Sequence, residues 1–269
     1  MRALKLYPGL LALAINAAFA DPTDRFPTAA QAYAVAIDGD IHWGRALDAP
    51  LPPASLTKIL TALVLLDRNW QPDAVLTVSD RAARAEGTRL GLRKGDRITA
   101  NDALTATLVR SANDACLALA EHDAGTVERF VVRMNIEAAT LGLAHSQFEN
   151  PCGLDAPSHV STARDLVTLA GLAMKNPEIA RRVGLTTAAV RTLDGRVFSF
   201  HNNNALIGRL PGAIGVKSGF TVHAGKCVMA WIERQGKQVT VVLLNSPDRW
   251  WTAAGIVEQA FATLPLPSP

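Results

Sequence analysis

Apolar residues along this chain switch from strand-like alternation to a helical period and back again. Residues 33–37 and 41–46, parted by Asp38-Gly39-Asp40, predict a β-hairpin. A helix is expected from about Ser55 to Asn69, and its run Ile59, Leu60, Ala62, Leu63, Val64, Leu65, Leu66 is apolar on almost every side. Such a helix lies inside the molecule. From roughly 80 to 180 the pattern is mostly helical. Residues 103–110, 114–120 and 127–141 carry apolar side chains at helical spacing, and Thr162-Ala163-Arg164-Asp165 is a capping pattern ahead of 166–174. Strand signals return at 197–200, 225–232 and 239–244, the last two joined by the hairpin turn Glu233-Arg234-Gln235-Gly236. A closing helix is expected from about Trp250 to Leu264, stopped by Pro265 and Pro267. Strands at both ends of a helical middle imply an α/β (α+β) fold, with one sheet completed by distant segments and a helical lobe inserted at roughly 80–180. There is no internal repeat and no low-complexity tract.

The first twenty residues break this pattern. Arg2 and Lys5 precede an apolar stretch ending in Ala18-Phe19-Ala20, the order of a secretory signal with an A-x-A cleavage site. Pro8, Gly9 and Asn16 interrupt it, and it falls short of the roughly 20 clean apolar residues that spanning a membrane requires. Residues 1–20 are therefore expected to be a cleaved signal peptide, leaving a single domain, 21–269, that works outside the cytoplasm without a stable membrane anchor. Among the 269 residues, 49% are hydrophobic and 19% charged, which suits a globular chain with ample core. The net charge of +3 falls to 25 basic against 24 acidic residues once Arg2 and Lys5 are set aside. The remaining cations are dispersed, so no nucleic-acid partner is expected. Three cysteines leave at least one unpaired. Cys116 and Cys227 sit in apolar stretches and are expected to be small buried residues, whereas Cys152 lies in a turn, where it could be open to solvent. No C-x-x-C or H-E-x-x-H occurs and the six histidines are scattered, so neither a metal nor another cofactor is expected.

Three clusters carry candidate chemistry. Ser55-Leu56-Thr57-Lys58 presents a hydroxyl and an amine three residues apart at the start of the buried helix. A serine there can simply cap the helix. A cap, however, is usually followed by Glu or Gln at the third helical position, and the helix dipole disfavours a cation. As the amine of a nucleophile–base pair the lysine fits, because desolvation lowers its pKa. Ser111-Ala112-Asn113 falls between two helical stretches, where both polar side chains can stay free or can cap the second helix. Lys217-Ser218-Gly219 precedes Phe220 and enters a strand. There it can aim a cation and a hydroxyl one way while glycine admits a ligand, or the lysine can shield an edge strand.

In this order, the three clusters match the S-x-x-K, S-D-N and K-T-G signature of β-lactamases and penicillin-binding proteins. The chain closely resembles the low-molecular-mass penicillin-binding proteins, the serine D-Ala-D-Ala carboxypeptidase family (peptidase family S11). Blocks 54–58, 111–115, 148–154, 161–165 and 215–221 all carry the likeness, which covers roughly residues 30 to 263. The resemblance implies a β-lactamase/transpeptidase-like fold, an antiparallel sheet flanked by helices. It also implies acyl transfer on peptidoglycan stem peptides, with β-lactams as covalent inhibitors. Ser55 would be the nucleophile, Lys58 its base and Ser111 a proton relay. Asn113 would hold the substrate amide, Lys217 and Ser218 would bind the substrate carboxylate or tune the proton network, and the backbone N–H groups of Ser55 and Phe220 would form the oxyanion hole beside Gly219. Arg249 falls where the family often has an arginine near that carboxylate, although a surface charge at a helix start explains it equally well.

Two departures sharpen the expectation. Ser218 stands where the family usually has threonine, and the hydroxyl survives. The chain stops soon after its last helix, without the β-rich domain and amphipathic anchor of many relatives, which points to a periplasmic protein and brings cross-link endopeptidases into view beside carboxypeptidases. A class A β-lactamase would also need a deacylating glutamate in an E-x-x-x-N block. No glutamate after Ser111 has asparagine four residues on. A non-catalytic penicillin sensor would not be expected to keep all of Ser55, Lys58, Ser111, Asn113 and Lys217.

Overall fold

Ala32–Ile37 (β1) is buried along its whole length, and its two faces differ in size. Tyr33, Val35 and Ile37 point one way and Ala32, Ala34 and Ala36 the other, the alternation of a strand covered on both sides. The computed structural model describes residues 23–67 and 69–264. The expected signal peptide, its cleavage site and the proline tail lie outside the described residues. β2 (Asp40–Arg45) completes the first hairpin, and a 3₁₀ turn (Ala54–Thr57) leads into α1 (Lys58–Leu66). The middle of the chain holds β3 (Val75–Thr77), α2 (Asp80–Ala83), β4 (Arg97–Thr99), α3 (Ala100–Thr105) with a π-helical continuation (Ala106–Arg110), α4 (Asn113–Ala124), α5 (Val127–Thr140), α6 (Ala163–Lys175) and α7 (Pro177–Val183). β5 (Thr187–Arg191), β6 (Val197–His201), β7 (Ala213–Thr221), β8 (Gly225–Arg234), β9 (Lys237–Ser246) and α8 (Arg249–Ala262) follow.

The main sheet has the order β2-β1-β9-β8-β7, with each neighbouring pair antiparallel. The N-terminal hairpin thus closes on a strand some 200 residues later, as strands at both ends of the chain predict. On one face Tyr33, Val35, Val228, Val241 and Leu243 pack against Ala253, Ile256 and Val257 of α8. On the other the alanines of β1, with Met229, Val242 and Leu244, join the larger core that includes α1 and α6. Small residues there let the helices lie close to the sheet, and α1, with seven of its nine residues buried, runs through the middle of that core.

Residues 80–183 are largely helical but less uniform than their periodicity suggests. β4 of the small sheet β3–β4 interrupts them, and the small sheet β5–β6, whose second strand was expected at 197–200, follows them. The helix expected at 55–69 begins as a 3₁₀ turn and ends at Leu66. Thr162 does cap α6, its hydroxyl accepting from the Asp165 N–H. No helix among the described residues is long and apolar enough to cross a membrane.

Cys152 does not lie open to solvent. Cys152 is 1% exposed and bonded to Cys116 of α4, leaving Cys227 as a buried free thiol. The turn folds inward because the Asn150 side chain gathers it: its Oδ1 accepts from the N–H groups of Cys152, Gly153 and Leu154, and its Nδ2 donates to Leu154 O. With its backbone satisfied internally, the turn can enter the core. The crosslink spans a sequence separation of 36. Replacing Cys116 and Cys152 together by alanine should lower stability by about 2–4 kcal/mol, and thermal melting should show the midpoint falling by roughly 10 °C.

Candidate active site

Ser55 and Lys58 are brought together by the type of turn they occupy. A 3₁₀ turn has about three residues per turn, so side chains at i and i+3 eclipse. Lys58 Nζ accordingly lies 2.9 Å from Ser55 Oγ. The turn opens on Ala54 at φ +49°, a left-handed conformation that costs an alanine roughly 1 kcal/mol and swings the following serine towards the cleft. No side chain caps this turn, so the capping explanation of Ser55 fails. Lys58 is fully buried, and its amine also donates to Cys152 O at 2.5 Å. Burial first, then the positive charge of Lys217, hold the Lys58 pKa well below the ordinary lysine value. A neutral amine in contact with a hydroxyl can accept its proton.

The 150–154 turn that supplies the carbonyl is fitted closely to the serine. Gly153 has φ +78°, and a Cβ there would meet Ala54 O at 1.9 Å, so only glycine serves. Thr61 of α1 donates to Pro151 O at 2.6 Å. Beneath the serine, buried His159 accepts the Glu149 N–H at Nδ1 (3.0 Å), which leaves its proton on Nε2, 2.8 Å from Thr57 Oγ1. Thr57 in turn donates to Ala54 O at 2.8 Å. Burial, followed by the charge of Lys58, pulls the His159 pKa down to about 4, so the ring stays neutral.

Ser111 and Asn113 form the opposite wall. The π-helical segment stops at Ser111, which takes φ +66°, and α4 starts at Asn113 without a side-chain cap. Neither side chain caps the helix. Asn113 Nδ2 donates to Glu86 O at 2.6 Å, and its buried Oδ1 has no partner among the described residues. Next to it, the Asp114 carboxylate accepts the N–H groups of Leu90, Gly91 and Leu92 and so pins the loop over the cleft.

β7 forms the third wall and is an edge strand of the main sheet. Lys217 is 2% exposed, which excludes a solvent-facing edge guard. Its Nζ donates to Ser218 O at 3.0 Å. Burial, reinforced by the Arg249 guanidinium, lowers its pKa to about 7. Ser218 Oγ donates to Asn203 O at 3.1 Å. At Gly219 a Cβ would lie 2.8 Å from Ser55 N, so β7 passes against the serine turn only because this residue is glycine. Asp248 caps α8, while Arg249 turns back to donate to Gly219 O and lies 4.5 Å over the Trp250 ring. Arg249 therefore packs behind β7 rather than standing as a free surface charge.

Between these walls is an open cleft of about 970 Å³. Ser55, Asn113 and the exposed Phe220 line it, whereas Lys58, Ser111, Lys217, Ser218 and Gly219 are buried. Among the described residues no group of three or more His, Cys, Asp or Glu could hold a metal ion. Sequence reasoning assigned no part to Asn150, Asp114, Thr57 and His159, which support the site through backbone contacts. Asn150, Asp114 and Thr57 did lie inside family-like blocks, which was the one available signal.

The antiparallel sheet, its helical cover and the serine–lysine turn define a serine enzyme of the β-lactamase/transpeptidase-like class. Within that class, residues 25–248 match the D-alanyl-D-alanine carboxypeptidase family model, and the chain belongs to this peptidase S11 family. It is 32% identical over 213 residues to a D-alanyl-D-alanine carboxypeptidase of Bacillus subtilis, covering 77% of this chain but only 54% of that relative. It is 31% identical over 214 residues to a D-alanyl-D-alanine endopeptidase of Pseudomonas aeruginosa, covering 77% of this chain and 68% of the relative. Among solved structures, a D-alanyl-D-alanine carboxypeptidase from Mycobacterium tuberculosis superposes with a TM-score of 0.82 at 33% identity, over 88% of this chain and 92% of that one.

The neutral His159 makes stability depend on pH. An unfolded histidine titrates near 6.5 and the folded one near 4, so the unfolded chain binds more protons in that window and stability rises with pH across it. Denaturation at pH 7 and pH 4 should show a loss of about 3 kcal/mol from this residue on acidification. His159→Gln should flatten that part of the profile.

Proposed function

We propose that this chain is a peptidoglycan DD-peptidase that hydrolyses D-Ala-D-Ala-type bonds through a serine acyl-enzyme and is acylated by β-lactams. The observation that carries the reading is the fully buried Lys58 amine 2.9 Å from Ser55 Oγ, with its pKa pushed down. In the first step Ser55 Oγ bonds to the scissile carbonyl carbon while Lys58 takes the hydroxyl proton. The C–N bond then breaks, and the leaving amine receives a proton through Ser111. In the second step water attacks the ester, its proton passes to Lys58 and returns to Ser55, and the carboxylic acid product departs. The backbone N–H groups of Ser55 and Phe220 hold the oxyanion, a contribution of roughly 3 kcal/mol per donor.

Asn113 holds the substrate amide with its unpaired Oδ1, and Lys217 with Ser218 meets the terminal carboxylate. Arg249 acts through β7, fixing Gly219 O and setting the charge on Lys217. No glutamate after Ser111 stands in an E-x-x-x-N block that would activate a deacylating water, which suits slow release of penicillin. Residues 21–269 are the mature peptidase unit, exported by the 1–20 leader to the periplasm, where peptidoglycan lies.

Two measurements test the reading. A fluorescent penicillin should label the wild type stably and Ser55→Ala not at all, with muropeptide cleavage by the wild type only; rapid penicillin turnover would mean a β-lactamase. The acylation rate should rise with pH as Lys58 loses its proton, then fall above about pH 7 as Lys217 loses its own. Lys217→Gln should remove the descending limb.

A further inference from the structure

A second groove, of about 510 Å³, continues from the catalytic cleft. The two share Arg89, Leu90 and Arg110. The far wall of the groove is β6, with Phe198 and His201, followed by Asn203, and no acidic residue lines it. Neither arginine side chain has a hydrogen bond or ion pair among the described residues, although the nearby Arg196 is paired with Asp96. The groove therefore presents two uncompensated guanidinium groups.

Asn203 fixes the side of the cleft from which the groove departs. Its carbonyl accepts from Ser218 Oγ at 3.1 Å, its Nδ2 donates to Arg110 O at 2.7 Å, and its N–H donates to Val109 O at 3.0 Å. It bridges Ser218 to the residue that precedes Ser111. The groove thus begins where the carboxylate-binding and proton-relay residues end, on the leaving-group side. A departing D-alanine is a single residue whose carboxylate is already met by Lys217 and Ser218, so it has no use for a further groove. The leaving amine of a cross-link belongs to a second stem peptide that carries additional free carboxylates. Guanidinium groups suit that ligand because their fork of donors matches a carboxylate bidentately.

We propose that this groove is a leaving-strand subsite, in which Arg89 and Arg110 grip carboxylates of the second stem peptide, so that cross-linked peptides are substrates of the chain. The inference rests on the DD-peptidase reading. The step is the hydrolysis already written: the cross-link C–N bond breaks, the second strand leaves as a protonated amine, and water completes the first strand's carboxylate.

The test compares wild type with Arg89→Gln/Arg110→Gln on a defined cross-linked dimer muropeptide, a monomeric pentapeptide and a fluorescent penicillin. Wild type should split the dimer, and the double variant should lose roughly tenfold in kcat/KM on it, mainly through KM. Pentapeptide trimming and penicillin labelling should change less than about twofold, and Arg89→Lys/Arg110→Lys should recover part of the dimer rate because charge is retained. Raising the salt concentration should weaken dimer cleavage by wild type more than by the double variant. The proposal is overturned if wild type takes penicillin and trims pentapeptide but leaves the dimer intact, or if the double variant slows all three reactions equally. A wild type that forms no penicillin adduct and cleaves no muropeptide is a different result, which sinks the DD-peptidase reading itself and the subsite with it.

Discussion

The fold is organised around an amine that has been taken out of water without being given a carboxylate. Lys58 is wholly enclosed, and its partners are a hydroxyl and a backbone carbonyl. A charged ammonium there would carry a large desolvation penalty, so burial favours the neutral amine more than water does. The surrounding structure maintains that condition. Core helices exclude water from below, the 150–154 turn closes one side, and buried Lys217 supplies a like charge that further disfavours protonation.

Close approach of three backbones makes this enclosure possible. The serine turn, the 150–154 turn and β7 meet at distances that a methyl group at Gly153 or Gly219 would violate. Ala54 and Ser111 are held in left-handed conformations on opposite sides of the cleft. Such strain persists only where neighbouring contacts over-determine it, and here side-chain to backbone hydrogen bonds do so. Asn150, Asp114 and Thr57 each tie down loop or turn backbone next to the cleft. Each wall of the cleft is thus held by side-chain to backbone hydrogen bonds from residues that stand behind it.

Much of this was legible in the sequence where residue type alone carried the message. Lys58 stood out because a cation is wrong for the start of a helix, and the ordered clusters at 55–58, 111–113 and 217–219 led to the family. The sheet closed by distant hairpins followed from alternation at both ends. What stayed hidden depended on geometry that no local pattern encodes. The 3₁₀ turn that eclipses Ser55 and Lys58 looks like ordinary helix in sequence, and Ser111 gives no glycine signal for its positive φ. β3, β4 and β5 are too short to alternate clearly, whereas β6 did show at 197–200. The burial of Cys152 was missed because turns usually lie at the surface, whereas this one satisfies its own backbone through Asn150 and can be buried.

The Cys116–Cys152 bond joins the helix that begins at Asn113 to the turn whose carbonyl receives the Lys58 amine. Such bonds form in oxidising compartments and are rare in the cytosol. Along the proposed export route, a newly made chain would cross the membrane with these two pieces still unlinked. The seat of its base would be completed only on the far side, so that maturation of the enzyme and arrival at the cell wall become one event.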